Sequence, residues 1–318
     1  MISRRNFLAV LPMGAGLAQA YPGGKVVRIV VGAPPGGGTD LQARRVAESL
    51  ARIWSSPVIV ENKPGAGMTI AGAAVAQARA DGYTLLYSPD NFMQATLSMR
   101  KAPYDPLKNF TPIALGGLSF FALVAHKSVP GGSLQELLAH AKSGQSKLNC
   151  ATIGVGTGSH ILAEIFRKRA GLDLTYVPYK GFADVFPDLV AGRVHLLFAA
   201  GSGVPQFTQT SQVRAVAVAQ ARRSAFLPDV PTIAEQGVRG MEVDTWLGFF
   251  GPAGLSQDKT AAIAGAIAEA MKDAAVQSEY RRGFTEPLPM SPEAFARFYE
   301  ASHDKWRSLL METSIPRE

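Results

Sequence analysis

Two glycine-rich stretches carry the residue types best suited to chemistry. The first is Gly36-Gly37-Gly38-Thr39-Asp40, within "VVGAPPGGGTD" (residues 30–40). The second is Gly154-Val155-Gly156-Thr157-Gly158-Ser159-His160, within "IGVGTGSHI" (residues 153–161). Each lies between an apolar run that reads as a strand and an amphipathic run that reads as a helix. An α-helix starts with backbone N–H groups that have no partner inside it, and its macrodipole places about half a positive charge there. Glycines just before such an end let a ligand reach the backbone and allow turns that aim successive N–H groups inward. The chemistry offered is anion binding, with Thr157 and Ser159 adding hydroxyls. Asp40 reads as a helix cap or loop brace, because a carboxylate repels an anion. A glycine-rich turn can also be plain chain reversal.

Other chemistries lack their residues. The phosphate-binding P-loop needs Lys-Ser or Lys-Thr after its glycines, and neither loop has one; G-x-G-x-x-G is missing as well. G-x-S-x-G does not occur, and "AGSG" (200–203) lacks the first glycine. Ser302-His303-Asp304-Lys305 fits S-x-x-K formally, but sits in an amphipathic run without the partner motifs. The single cysteine, Cys150, lies in an apparent buried strand and leaves no internal disulfide framework. The five histidines, His126, His140, His160, His195 and His303, show no paired zinc spacing, so no metal and no cofactor is expected. His160 stays of interest because it ends the second loop. Formal charge is +7, with Lys and Arg scattered in short clusters such as 167–169 and 221–223, so no nucleic-acid groove is expected. A mild positive field suits small anions.

The elements that position these loops alternate. Val26–Val31 reads as a buried parallel strand, followed by a helix capped at Thr39 or Asp40 with Val46, Leu50 and Ile53 at helical spacing, then a strand from Pro57 to Val60. A helix over 65–80 and a turn and strand over 81–88 continue the series. A second series begins at the strand 120–126. It runs through a capping box from Ser133 to Glu136, strand 148–154, helix 158–170, strand 174–179, helix 182–191, and strands 194–200 and 213–219. Two helices close the chain, capped by Ser256 and Ser291, the second with Pro292 at its first position. At 47% hydrophobic residues the chain has enough apolar material for two α/β domains with a cleft between them.

Residues 1–20, "MISRRNFLAVLPMGAGLAQA", have a basic start, an apolar middle and the ending Ala18-Gln19-Ala20, the layout of a cleaved export signal. The run from Ser3 to Leu8 resembles the twin-arginine motif, although two arginines also suit general secretion. Both routes lead to the periplasm, with cleavage after Ala20. No later run of about eighteen apolar residues follows, so a soluble mature chain is expected.

Eight ordered landmarks then resemble one family: "VVRIVVGAPPGGGTDLQARRVA", "VIVENKPGAG", "ADGYTLLYS", "APYDPLKNFTPIA", "LNCATIGVGTGSHILAEIF", "VPYKGFADVFPDLVAGRVHLLF", "LPDVPTIAEQG" and "WLGFFGPAGL". They are similar to the Bug-type receptors, the periplasmic solute-binding components of tripartite tricarboxylate transporters. The resemblance implies an α/β, periplasmic binding protein-like (type II) fold, with two α/β domains around a ligand cleft. Crossings placed near 122 and 247 give a first domain of 21–122 plus 248–318 and a second of 123–247. It implies capture of a small carboxylate without catalysis, membrane transporter components as partners, and a monomer. The implied ligand-binding residues are Pro35, Gly36, Gly37, Gly38, Thr39, Asp40, Ser88, Gly156, Thr157, Gly158, Ser159, His160 and Tyr179, with Lys180 and Gly181 at matching cleft positions. The run "PDNFMQATL" (89–97) is expected to face the pocket and to carry selectivity. Two other functions fit the loops, a periplasmic transferase or hydrolase for a small anion and a sensor reporting to a signalling partner.

Overall fold

The computed structural model describes residues 21–143 and 147–317. The export signal read at 1–20 lies outside the described residues. In chain order the elements are β1 (Val27–Val31), α1 (Gly38–Trp54), β2 (Val58–Asn62), α2 (Thr69–Ala76), β3 (Thr84–Pro89), α3 (Asn91–Leu97), β4 (Phe110–His126) and α4 (Leu134–Lys142). Next come β5 (Leu148–Thr152), α5 (Gly158–Ala170), β6 (Leu174–Pro178), α6 (Phe182–Val190), β7 (Leu196–Ala200), α7 (Val204–Thr208) and β8 (Val213–Val218). The chain closes with β9 (Asp244–Pro252), α8 (Gln257–Ala270), α9 (Ala274–Arg282), β10 (Glu286–Pro287) and α10 (Pro292–Met311).

The strands form one continuous sheet in the order β2-β1-β3-β9-β4-β7-β5-β6, with β8 and β10 also paired to β4. β1 is parallel to β2 and β3, and β5 is parallel to β6 and β7, as the alternating pattern requires. The strand β4 joins the two series. Phe110–Phe120 pair with β9, whereas Phe121–Ala125 pair with β7, so the sheet has a first half and a second half that share one strand.

Each half buries its own apolar face. On the first, Val27, Ile29 and Val31 meet Val46 and Leu50 of α1 and Ile263 and Ile267 of α8. Val46 and Leu50 are fully buried, each contributing roughly 1.5–3 kcal/mol. On the second, Val124, Leu197 and Ala199 meet Val185 and Leu189 of α6 and Phe207 of α7. The opposite face is different, because one core runs across both halves: Phe92 and Met93 of α3, Ile161 and Phe166 of α5, and Phe295 and Trp306 of α10 belong to it.

Most of the run 89–97 is therefore core and not pocket wall. It holds the end of β3 at Pro89 and then α3, whose Phe92, Met93 and Gln94 are fully buried, and of the run only Pro89 and Asn91 reach the cavity described below. Ser133 and Glu136 form the expected capping box, and Ser291 Oγ accepts the Ala294 N–H. Neither Thr39 nor Asp40 caps α1, which starts behind Gly37, two residues earlier than a Thr39 cap would place it and three earlier than an Asp40 cap.

Candidate ligand-binding site

The C-terminal ends of β1, β3, β6 and β7, with Ile153 beyond β5, converge on a cavity of about 370 Å³ between the two halves. This is where ligands settle in open α/β sheets, since helices begin there and point their N–H groups inward. Pro34 to Thr39 form one wall. α1 has seventeen residues, Gly37 is its N-cap, and no side chain caps it. Its first amides therefore face the cavity end bare of side chains. Opposite, Lys180 to Ala183 bring in the start of α6, again without a side-chain cap, and Ser202, Gly203 and Gln206 continue the wall. Met68 and Gly67 close one side, with Met68 held at φ 73. A Cβ on Gly38 would stand 3.1 Å from both Ser202 Cβ and its carbonyl oxygen, so the two walls touch there.

The first loop is braced from beneath. Gly36 adopts φ 80, a conformation that suits glycine, and its N–H reaches Asp40 Oδ2 at 2.9 Å. Asp40 is buried and also accepts from Arg44 Nε at 2.9 Å and from Asn62 Nδ2 at 2.8 Å; the same Asn62 nitrogen donates to the Ala33 carbonyl. Burial pushes the Asp40 carboxyl upward, but the bonds from Arg44, Asn62 and Gly36 outweigh it and hold the group below its ordinary value. A carboxylate that stays ionised at neutral pH thus fixes the loop without facing the cavity.

Of the residues expected from sequence, Pro35, Gly36, Gly37, Gly38 and Thr39 line the cavity together, and Asp40 stands behind them. Ser88 is fully buried, with its hydroxyl donating to the Pro89 carbonyl and lying 3.6 Å from Met68 Sδ. The second loop is not part of the lining. The Gly158 N–H is taken at 2.6 Å by Gln94 Oε1 from α3, so a neutral side chain occupies the place assigned to an anion. Thr157 Oγ1 donates to the Gly154 carbonyl, Ser159 is buried, and the Gly156 N–H approaches His160 Nδ1 at 3.4 Å. Tyr179 turns its hydroxyl to Asp188 Oδ2 at 2.7 Å; burial and that carboxylate push it up to about 12.

The glycines of the second loop have another explanation. A Cβ on Gly156 would lie 2.0 Å from Ser98 Oγ, and one on Gly158 would lie 2.6 Å from Phe121 Cζ and 2.9 Å from Trp306 Cη2. They permit close packing of the halves. Conversely "AGSG", set aside for failing a hydrolase pattern, supplies Ser202 and Gly203 to the cavity. The legible signal was a glycine turn at a strand end, the same signal as in the first loop. Ser302 Oγ accepts the Trp246 indole N–H, His195 Nδ1 accepts the Asn149 amide, and Cys150 is buried, so all three serve the fold.

Residues 42–315 match the family described as tripartite tricarboxylate transporter family receptor. The chain belongs to that family. It is a receptor and not an enzyme, and its fold is that of the periplasmic solute-binding proteins. The structure titled periplasmic binding protein BugD is similar at 30% identity, over 92% of this chain and 99% of that one, with a TM-score of 0.84. The R. palustris protein Rpa4515, solved with adipate, is 29% identical over 92% and 97% of the two chains, with a TM-score of 0.85. MatC from Rhodopseudomonas palustris, solved with bound malate, is 28% identical over 90% and 99%, with a TM-score of 0.82. No described helix is long and apolar enough to cross a membrane.

Proposed function

We propose that this receptor captures a small carboxylate in the cavity between its halves and presents it to the membrane components of a tripartite transporter. The observation that carries the reading is the character of the lining. It includes the uncapped start of α1, a single cationic side chain, Lys180, and no acidic residue. An anion there accepts charge-assisted bonds from backbone N–H groups, each contributing about 0.3–2 kcal/mol, so several must act together. The adipate and malate held by the two R. palustris proteins are ligands of this class. Contact falls to Pro35–Thr39 and to the wall from Lys180 to Ala183; Asp40, Ser88, Gly156–His160 and Tyr179 support them from behind.

The two lobes of this reading are 21–122 with 248–318, and 123–247. Ligand bridges them and favours the closed form, in which Gly38 meets Ser202. The chain works as a monomer in the periplasm, after export directed by residues 1–20 and cleavage behind Ala20.

The test uses the mature chain from Tyr21 with a panel of small carboxylates, followed by melting temperature and calorimetry. A receptor is stabilised by one or a few of them, which are recovered unchanged. Gly37→Leu is the matching variant. Gly37 has an ordinary backbone conformation, and a Cβ there meets only the Pro34 carbonyl, at 3.3 Å. Carboxylate affinity should fall more than tenfold at a stability cost of about 1 kcal/mol. Retained affinity would place the ligand elsewhere.

A further inference from the structure

The turn between β2 and α2 is the strained part of the cavity wall. Gly65 (φ 123), Ala66 (φ 47), Gly67 (φ 62) and Met68 (φ 73) follow one another at positive φ. Glycine holds that conformation freely, whereas Ala66 and Met68 carry a Cβ and are strained there. Packing enforces the turn. The Met68 N–H donates to the Gly65 carbonyl at 2.9 Å, and Thr69 Oγ1 donates to the Ala66 carbonyl at 2.8 Å. A Cβ on Gly67 would stand 2.8 Å from Ala95 Cβ of α3 and 3.4 Å from Thr157 Cγ2 of the second loop, so the turn is wedged between the halves.

A methionine on such a backbone needs a reason, and its side chain supplies one. A Cβ on Gly32, just past β1, would lie 2.5 Å from Met68 Cβ and 2.8 Å from Met68 Cγ, so glycine at 32 makes the room in which the Met68 side chain is set. From there Met68 Sδ reaches within 3.6 Å of Ser88 Oγ and covers that fully buried residue on the cavity side. Met68 itself is half-buried and lines the cavity. The polar side chains of the lining, Thr39, Asn91, Lys180, Ser202 and Gln206, come from other segments; the turn adds only backbone and this one long side chain.

We propose that Met68 sets the size of the ligand this receptor selects: its side chain fills the cavity between Gly32 and Ser88 and excludes acids that would extend into that space. This inference rests on the capture reading of the same cavity. Rejection here is steric. An acid that is too long must displace a thioether packed on Gly32, whereas one that fits gains contact with a polarizable sulfur. In an apolar pocket each methylene too many or too few changes affinity by roughly tenfold or more.

The experiment is calorimetry on the mature chain with homologous acids as probes: acetate through octanoate, malonate through suberate, and benzoate with naphthoate. The readout is the affinity of the next larger homologues relative to the acid that the unaltered protein binds best. Met68→Gly removes the side chain at a backbone where glycine is unstrained, and should raise that ratio by roughly tenfold or more. Met68→Ala keeps the Cβ against Gly32 and should raise it less, while Met68→Leu, which conserves volume, should keep the original order. Thermal melts check folding, and Met68→Ala carries the test if Met68→Gly does not fold. An unchanged order of acids in the folded variants, or an equal loss of affinity for all of them, means that Met68 only supports the turn; its role in selection is then overturned while the capture reading stands. If no acid binds the unaltered protein, the capture reading falls and this inference with it.

Discussion

Replacing Gly156 by alanine separates two effects that a glycine usually confounds. Gly156 has φ 71, so an alanine there costs about 1–2 kcal/mol in backbone strain whatever the protein's shape. The new methyl would also lie 2.0 Å from Ser98 Oγ and 2.5 Å from Ser98 Cβ, across the junction between the halves. Overpacking of that kind costs about 1–3 kcal/mol, and only while the halves are shut. The strain is common to open and closed forms and leaves affinity alone; the collision weakens ligand binding by roughly five- to 150-fold. Ser98→Gly removes both colliding atoms and leaves Ser98 Cα at 3.8 Å, an ordinary contact. The double variant should recover most of the affinity but keep the lowered melting temperature. Calorimetry with the best carboxylate, thermal melts and the solution radius of gyration check each arm. If Gly156→Ala lowers the melting temperature while binding stays intact, the second loop and α3 move together, and this contact does not report closure.

Two further outcomes follow from buried carboxylates. Asp90 is fully buried without a cation, accepting from Thr245 Oγ1 at 2.6 Å and from Trp306 Nε1 at 3.1 Å; burial raises it to about 7 against the pull of those two donors. The folded chain thus keeps a proton that the unfolded chain loses near pH 4, so this stabilisation is complete below pH 4 and is lost as pH rises to about 7. Its ceiling is about 4 kcal/mol. In urea titrations at successive pH values, the stability of wild type minus that of Asp90→Asn should shrink across this window, and parallel curves would show that Asp90 does not titrate there. Asp40→Ala should destabilise by about 1–2 kcal/mol, since it removes the buried acceptor that ties together the Gly36 N–H, Asn62 Nδ2 and Arg44 Nε, and it should weaken ligand binding by loosening the first loop. The depressed carboxyl of Asp40 gives stability that is present above pH 4 and lost as pH falls through its lowered native value, so the stability difference between Asp40→Ala and wild type should close in acid.

The alternating order of strands and helices was legible because each parallel strand announces itself as a run of β-branched residues and each crossover helix as a 3.6-residue period. Helix α5 falls where its spacing places it, at Gly158–Ala170, and the Ser133 and Ser291 caps are where their patterns put them. Helix α9, between the two helices expected to close the chain, and the short α7 and β10 were not read, and three longer or more central elements were not legible for clear physical reasons. β4 runs seventeen residues through Pro112, Gly116 and Gly117, residues that locally argue against a strand, and it tolerates them at two register shifts. α3 reads as an irregular apolar and polar mixture because nearly every face of it is buried, so no amphipathic stripe remains. β9 is fixed by pairing with β3 and β4, strands far away in sequence.

The site shows the same division between local and distant causes. The first loop could be read directly, because strand, glycines and helix are contiguous and the anion-binding property belongs to the helix end itself. The second loop carries the same local signal with a different outcome, and the difference lies in residues some sixty positions away: Gln94 fills the Gly158 amide and Ser98 presses on Gly156. A glycine before a helix states only that something must come close to the backbone. Whether that something is a ligand or another part of the chain is decided by tertiary packing, which the composition of the loop does not encode. The converse holds at Ser202–Gly203, which the sequence offered only as a failed hydrolase pattern until the sheet carried it to the same end as the first loop, whereas Lys180 and Gly181 were placed at the cleft by the family resemblance and not by any local signal. Strand ends that share a direction in a parallel sheet share a rim, so the β6 and β7 turns were candidates as soon as those strands were assigned parallel to β5.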